Sequence, residues 1–300
     1  MLEFHRKLLA DGTRTLAFRE ALRRAVNAGD VVVDVGSGSG VLAFFAVEAG
    51  ARKVFAIERG HMADVIALLA KSDRIEVMHE HSSKVELPER ANVLVTEILG
   101  AFGLEEQILS TVIDARTRLL APNATIIPRR VVLSVVPVEL PREHETRVAW
   151  WSEERYGLDF SALRMFASNE VYATHIDGEA YLAQPAEIID VDLTTIDDPH
   201  VTGTASFEIT RDGMLHGFGG WFTATLIDDI TLSNAEAHAT HWKQAFLPLE
   251  QPVPVTAGTR VALELHSHDG RAWRWRGHAG VTDFDQTTYL ASPPCRRAAD

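Results

Sequence analysis

Val31-Val32-Val33-Asp34-Val35-Gly36-Ser37-Gly38-Ser39-Gly40 is the run that decides the fold. Val31–Val35 is a short apolar strand bounded by glycines, and the helical run Val41–Glu48 follows it. Glycines between a strand and a helix allow a tight turn. They also let a ligand approach the free N–H groups at the helix start. Lys53–Glu58 reads as the next strand and ends in a carboxylate, the place where an acidic residue binds ribose hydroxyls. The loop is therefore expected to hold a nucleoside-bearing ligand through Asp34, Gly36, Gly38, Gly40 and Glu58. A dinucleotide and S-adenosyl-L-methionine are the two candidates.

The spacing separates them. A pyrophosphate site favours GxGxxG, whereas this loop is GxGxG with an aspartate two residues ahead. In that form it resembles the class I methyltransferases, whose loop faces an uncharged ribose and an amino-acid moiety. A dinucleotide-dependent dehydrogenase is accordingly disfavoured.

The same alternation extends outward. Thr15–Val26 has helical spacing, with Leu16, Phe18, Leu22 and Val26 as its apolar positions. Ala63–Ala70 reads as a helix, Ile75–Met78 and Val93–Ile98 as strands, and Glu105–Leu120 as a longer helix. This order predicts a doubly wound parallel sheet over residues 1–127. Past Ile126-Ile127-Pro128 the period changes to two, in Val131–Val138, Thr204–Thr210, Phe222–Leu226 and Val261–His266. Asp212-Gly213 and Asp269-Gly270 are turn signals, and Trp273 and Trp275 alternate with Arg274 and Arg276 as on a strand with one buried face. Residues 128–300 are therefore expected to form an antiparallel β-barrel, with an insertion projecting at about 163–189 that fits neither period.

Composition narrows the function. A formal net charge of −13 argues against nonspecific binding to nucleic acid. The single cysteine, Cys295, excludes a disulfide framework, and His79 and His81 have no third partner for a metal. Without an apolar leader or a run long enough to span a bilayer, a cytoplasmic protein with no membrane partner is expected.

Glu97 stands near the end of Val93–Ile98, and Glu106 follows nine residues later, beyond Gly100 and Gly103. Two carboxylates at the mouth of a pocket suit a planar guanidinium, whose N–H donors pair with them bidentately. A protonated guanidinium is a poor nucleophile. Carboxylates that draw the charge onto two nitrogens leave the third freer to attack and hold it in line. Thr240-His241-Trp242-Lys243-Gln244 is a further candidate segment.

Together these residues resemble the protein arginine N-methyltransferase family over nearly the whole chain. Val33–Gly40 is similar to its donor loop, Glu97 to Glu106 to its double-glutamate loop, and Thr240–Gln244 to its threonine-histidine-tryptophan loop. The resemblance implies S-adenosyl-L-methionine as cofactor, with Arg14 on the donor's carboxylate and Ser83 where the family often places a glutamate at the adenine. It implies Glu97 and Glu106 on the guanidinium, His241 orienting a glutamate or relaying a proton, and Trp242 as a pocket wall. It also implies a Rossmann-like domain followed by a β-barrel with a dimerisation arm, and a homodimer. The tyrosine-rich helix that opens the family is not found before Phe4-His5. The substrate is therefore a protein or peptide arginine, or alternatively free L-arginine or another small guanidino compound. A non-catalytic binding module of the same fold is the competing class.

Overall fold

The computed structural model describes residues 2–235 and 240–290, so Cys295 lies outside the described residues. The chain forms two compact units. One comprises Met1–Val132, Asp190–Pro199 and Phe222–Trp242, the other Leu133–Ile189, His200–Trp221 and Lys243–Asp300.

The first unit opens with α1 (Leu2–Ala10) and α2 (Gly12–Ala25), then alternates β1 (Val31–Val35), α3 (Val41–Ala49), β2 (Lys53–Ile57), α4 (Met62–Leu69), β3 (Ile75–Met78), β4 (Ala91–Thr96), α5 (Ile108–Arg118) and β5 (Leu120–Ile127). The strands form a parallel sheet in the order β3-β2-β1-β4-β5. All of β1 is buried, which its valines allow. The chain reverses its winding between β1 and β4, and the ends of those strands open the crevice where ligands bind in such sheets. Val35 sits opposite Thr96 in the register, so Gly36 and Glu97 leave the sheet side by side. The Thr96 hydroxyl donates to the Val35 carbonyl (2.7 Å) and ties the two exits together.

Four expectations need correction. A helix, α1, precedes the first one assigned from sequence, and α2 begins at Gly12, not Thr15. No residue of α1 is buried and the helix spans only nine residues, although Leu2, Phe4, Leu8 and Leu9 give it apolar positions. Strand β4 ends at Thr96 and α5 begins at Ile108, so Glu97 and Glu106 both lie in the connecting loop. Gln107, with φ 68°, breaks the chain just before α5. Finally, β5 is a strand that the helix-to-turn reading passed over.

The second unit is built mainly from β6 (Arg130–Val138), α6 (Pro141–Arg147), α7 (Arg164–Ala167), β7 (Tyr172–Thr174), β8 (Ala186–Asp192), β9 (His200–Glu208), β10 (Gly213–Ile227), whose far end pairs with β11 (Ile230–Ser233), β12 (Gln244–Val255), β13 (Arg260–His268), β14 (Ala272–Ala279) and β15 (Thr282–Thr287). One sheet runs β7-β12-β10-β6-β8 and the other β15-β14-β13-β9. Phe218, Phe246 and Trp275 are fully buried between them, and Trp275 Nε1 donates to the Pro248 carbonyl (2.8 Å). The expected antiparallel, barrel-like second half is thus present. Trp273 is 2 % exposed and Trp275 0 %, while Arg274 and Arg276 face out and pair with Asp285 and Glu264. These indoles are core, and no base can stack on them. Asp269 and Gly270 (φ 53° and 66°) close the β13–β14 hairpin as their dipeptide predicts. Asp212-Gly213 instead links β9 to β10, which pair with different partners.

The expected insertion is also corrected. Residues 172–174 pair with β12, and Ile176 and Leu182 are buried, so the second half of 163–189 belongs to the sheet. The exposed apolar side chains lie earlier, at Trp150, Tyr156, Leu158, Leu163, Met165 and Phe166. Among the described residues no helix is long and apolar enough to cross a membrane.

Candidate active site

Everything at this site comes from the first unit. The loop after β1 carries Gly36, Gly38 and Gly40, all with positive φ (73°, 52° and 78°), a region that side chains other than glycine resist. A Cβ at Gly38 would lie 3.0 Å from the His5 ring, so α1 rests directly on the loop. Glu58 braces it from the other side. Its carboxylate accepts from the Gly38 N–H (2.9 Å) and the Gly60 N–H (2.7 Å). His5 and Glu58 also sense each other's charge, although burial is the larger influence and lowers the His5 pKa.

Asp34 is wholly buried beneath the loop, and neither carboxylate oxygen has a hydrogen bond of normal geometry. Burial, only partly offset by the nearby Ser37 hydroxyl and Ala43 amide, pushes its pKa up to about 7. The sign of the consequence is definite. A raised pKa gives stability that is complete below the unfolded value of 3.8 and is lost as pH rises through about 7. Asp34→Asn should therefore raise the melting temperature at pH 8 and leave it nearly unchanged at pH 4. About three units at ~1.4 kcal/mol each give a ceiling near 4 kcal/mol. A melting difference that stays flat from pH 4 to pH 8 would refute the assignment.

Two polar pairs bring distant parts of the chain together. Arg14 donates through Nε to Glu97 Oε2 (2.7 Å) and through Nη2 to the same oxygen. Both side chains are nearly buried, at 6 % and 8 % exposure, and Arg14 Nη1 is buried with no partner. The second pair is one the sequence reading missed. Asp11 caps α2 by accepting from the Arg14 N–H (2.9 Å). Its other oxygen accepts from the His241 N–H (2.7 Å) and from Nδ1 (2.8 Å). Burial would raise the Asp11 pKa, but the amides of Arg14 and His241 and the imidazole together hold it below the ordinary value. The carboxylate is thus ionised, and Nδ1 of His241 carries the proton between them. Asp11 is thus the carboxylate on Nδ1 of His241, a partner that the sequence reading did not name. An aspartate three residues before an arginine at a helix start was the available signal.

Trp242 is 7 % exposed and packs edge-on against Phe222 (5.1 Å), with the His241 ring 4.4 Å away. It props the histidine. Glu106 is reached by solvent as a residue. Burial of its carboxylate, then the like charges of Glu97 and Glu105, push its pKa up to about 7 against the pull of Arg59 and Arg14. Solvent tempers the first cause, but both like charges act in the same upward sense. Glu105, also missed, turns inward, and its Oε2 accepts from the Phe102 N–H (2.8 Å). The Ser83 hydroxyl shares a hydrogen bond with His81 Nδ1 (2.9 Å).

The donor set suits S-adenosyl-L-methionine. It offers one acid for a diol, one guanidinium for a carboxylate with an orphaned Nη1, and a backbone loop. Among the described residues no group of three or more His, Cys, Asp and Glu can hold a metal.

Comparison with known proteins agrees in detail. A family model described as the arginine methyltransferase oligomerization subdomain matches residues 130–278, and one described as ribosomal protein L11 methyltransferase (PrmA) matches residues 12–128. Protein arginine N-methyltransferase 6 of Danio rerio is 34 % identical over 281 residues, covering 87 % of this chain and 80 % of that protein. The Xenopus tropicalis protein of the same name is 32 % identical over 280 residues, covering 87 % and 82 %. Among solved structures, the Trypanosoma brucei PRMT1 enzyme-prozyme heterotetrameric complex with AdoHcy matches 96 % of this chain and 98 % of that one, with a TM-score of 0.83 and 24 % identity. That likeness speaks for the fold.

Proposed function

The chain belongs to the protein arginine N-methyltransferase family, and on that premise we propose that it transfers a methyl group from S-adenosyl-L-methionine to a guanidino nitrogen of arginine in a protein or peptide. The observation that carries this reading is the convergence of Arg14, Glu97, Asp11 and His241 on the ends of β1 and β4, from positions up to 230 residues apart.

When bound, the donor supplies an electrophilic methyl group on a sulfonium. The chain's own residues do the rest. Glu58 and the glycine loop would receive the ribose and adenosine end, and Arg14 would meet the donor's carboxylate. Glu97 and Glu106 hold two nitrogens of the guanidinium and draw its charge toward them, so that the third nitrogen attacks in line. His241, with Nδ1–H fixed on Asp11, presents Nε2 to the proton released. Charge complementarity also favours ionisation of Glu106, since a guanidinium beside it lowers the pKa that burial and like charges raise.

The test is incubation of the purified protein with methyl-labelled donor and, separately, an arginine-rich peptide, free L-arginine and a cell extract. Label in peptide is expected. Label confined to small molecules would replace the protein substrate by a free guanidino compound. Donor binding without label anywhere would leave a binding module.

Two copies associate, on this reading, through the exposed apolar run from Trp150 to Phe166. Tyr156 is 98 % exposed and Leu158 58 %, more apolar surface than an isolated chain needs to show. Tyr156→Asp combined with Leu158→Asp should convert a dimer to a monomer in light scattering. An unchanged mass would remove this surface from the interface.

A further inference from the structure

Between the two glutamates the chain passes Gly100 and Gly103, both with positive φ (69° and 78°). Glycines on either side of a short segment give the backbone no preference that would fix it. Yet the peptide unit joining Ala101 to Phe102 is held at both of its polar ends. Its N–H donates to Glu105 Oε2 (2.8 Å), and its carbonyl accepts from Asn234 Nδ2 (2.7 Å).

Asn234 is 0 % exposed and is itself fixed by the β10–β11 hairpin. Its Oδ1 accepts from the Phe222 N–H (2.8 Å), and the neighbouring Ser233 hydroxyl donates to the Phe222 carbonyl (2.7 Å). The carboxamide supplies a donor and an acceptor at the two ends of one short, rigid group. An aspartate cannot donate to Ala101, and a serine is too short to bridge. Asn234 also stands seven residues before His241 in the same unit.

We propose that Asn234 is a positioning residue that sets the separation of Glu97 and Glu106 by holding the Ala101 carbonyl midway along the loop between them. The proposal rests on the reading of those glutamates as a guanidinium clamp. A displacement of about 1 Å at reacting groups costs on the order of a hundredfold in rate. Loss of this hold therefore acts on turnover. Donor affinity is expected to change little.

Asn234→Ser and Asn234→Asp are compared with the unaltered protein for kcat, KM, donor Kd and melting temperature. The acidic limb of kcat/KM is recorded for the serine variant, which adds no charge. Both variants are expected to lose about ten- to a hundredfold in kcat while donor Kd stays within about twofold. In the serine variant the acidic limb should move to lower pH, because carboxylates freed to separate repel each other less. Variants with kcat within twofold of the unaltered protein would overturn the proposal. So would a parallel loss of kcat, donor affinity and melting temperature with the acidic limb unmoved, or failure of both variants to fold at the assay temperature. If the unaltered protein methylates no guanidino substrate, it is the clamp reading itself that fails.

Discussion

Glu106→Gln should lower kcat by about a hundred- to a thousandfold, leave donor affinity within about twofold, and leave the protein folded. The carboxylate is the charge that completes the clamp, and glutamine keeps its shape and half of its hydrogen bonding while removing that charge. Nothing in the donor loop depends on it. The fold tolerates the change because ionised Glu106 is a burden in the empty protein. Its pKa is pushed up to about 7 by burial and by Glu97 and Glu105, so the stability it contributes is complete below 4.5 and lost as pH rises through about 7. The glutamine variant should therefore melt higher than the unaltered protein at pH 8 and alike at pH 4. The same pKa governs rate. In the unaltered enzyme kcat/KM should fall about tenfold per pH unit below about 7, since the ionised form binds the guanidinium. Near-full activity in Glu106→Gln would discard the clamp model.

Glu97→Gln should behave differently, although the two glutamates have the same assigned task. Glu97 is the partner of Arg14, and both side chains are almost fully buried. Removing one member of such a pair strands a charge in the interior, at a cost of ~3–5 kcal/mol. In a protein of this size that lowers the melting temperature by about 10 °C, on top of the loss of turnover. Donor binding should then restore much of the deficit, because its carboxylate meets the stranded guanidinium. The donor-induced rise in melting temperature is thus expected to be larger in Glu97→Gln than in the unaltered protein. A variant that melts within about 2 °C of the unaltered protein would show that Arg14 and Glu97 are not coupled in solution.

The contrast explains what the sequence could and could not reveal. The valine strand, the glycine loop and the change from helical to alternating period each arise from local pattern, and the fold follows from them. Glu97 and Glu106 were visible because a buried strand ends beside one and a glycine-rich turn leads to the other. Asp11 was not, because its significance comes from His241, a residue 230 positions away. Glu105 and Glu106 are indistinguishable as letters. In the folded chain Glu105 turns inward to the Phe102 amide, while Glu106 is reached by solvent. Helix α1 was passed over for a different reason. It spans only nine residues and none of them is fully buried, so a short apolar pattern at Leu2, Phe4, Leu8 and Leu9 was all that marked it.

The Arg14–Glu97 pair also constrains how this protein can change over generations. In the proposed mechanism one carboxylate serves two guanidiniums in turn, the chain's own and the substrate's. A drift at position 97 that weakened substrate binding would also unsettle the interior. A drift at position 14 that weakened donor binding would leave Glu97 without its internal partner. Neither position can vary alone, and among descendants of this chain that abandon methyl transfer the two should be lost together.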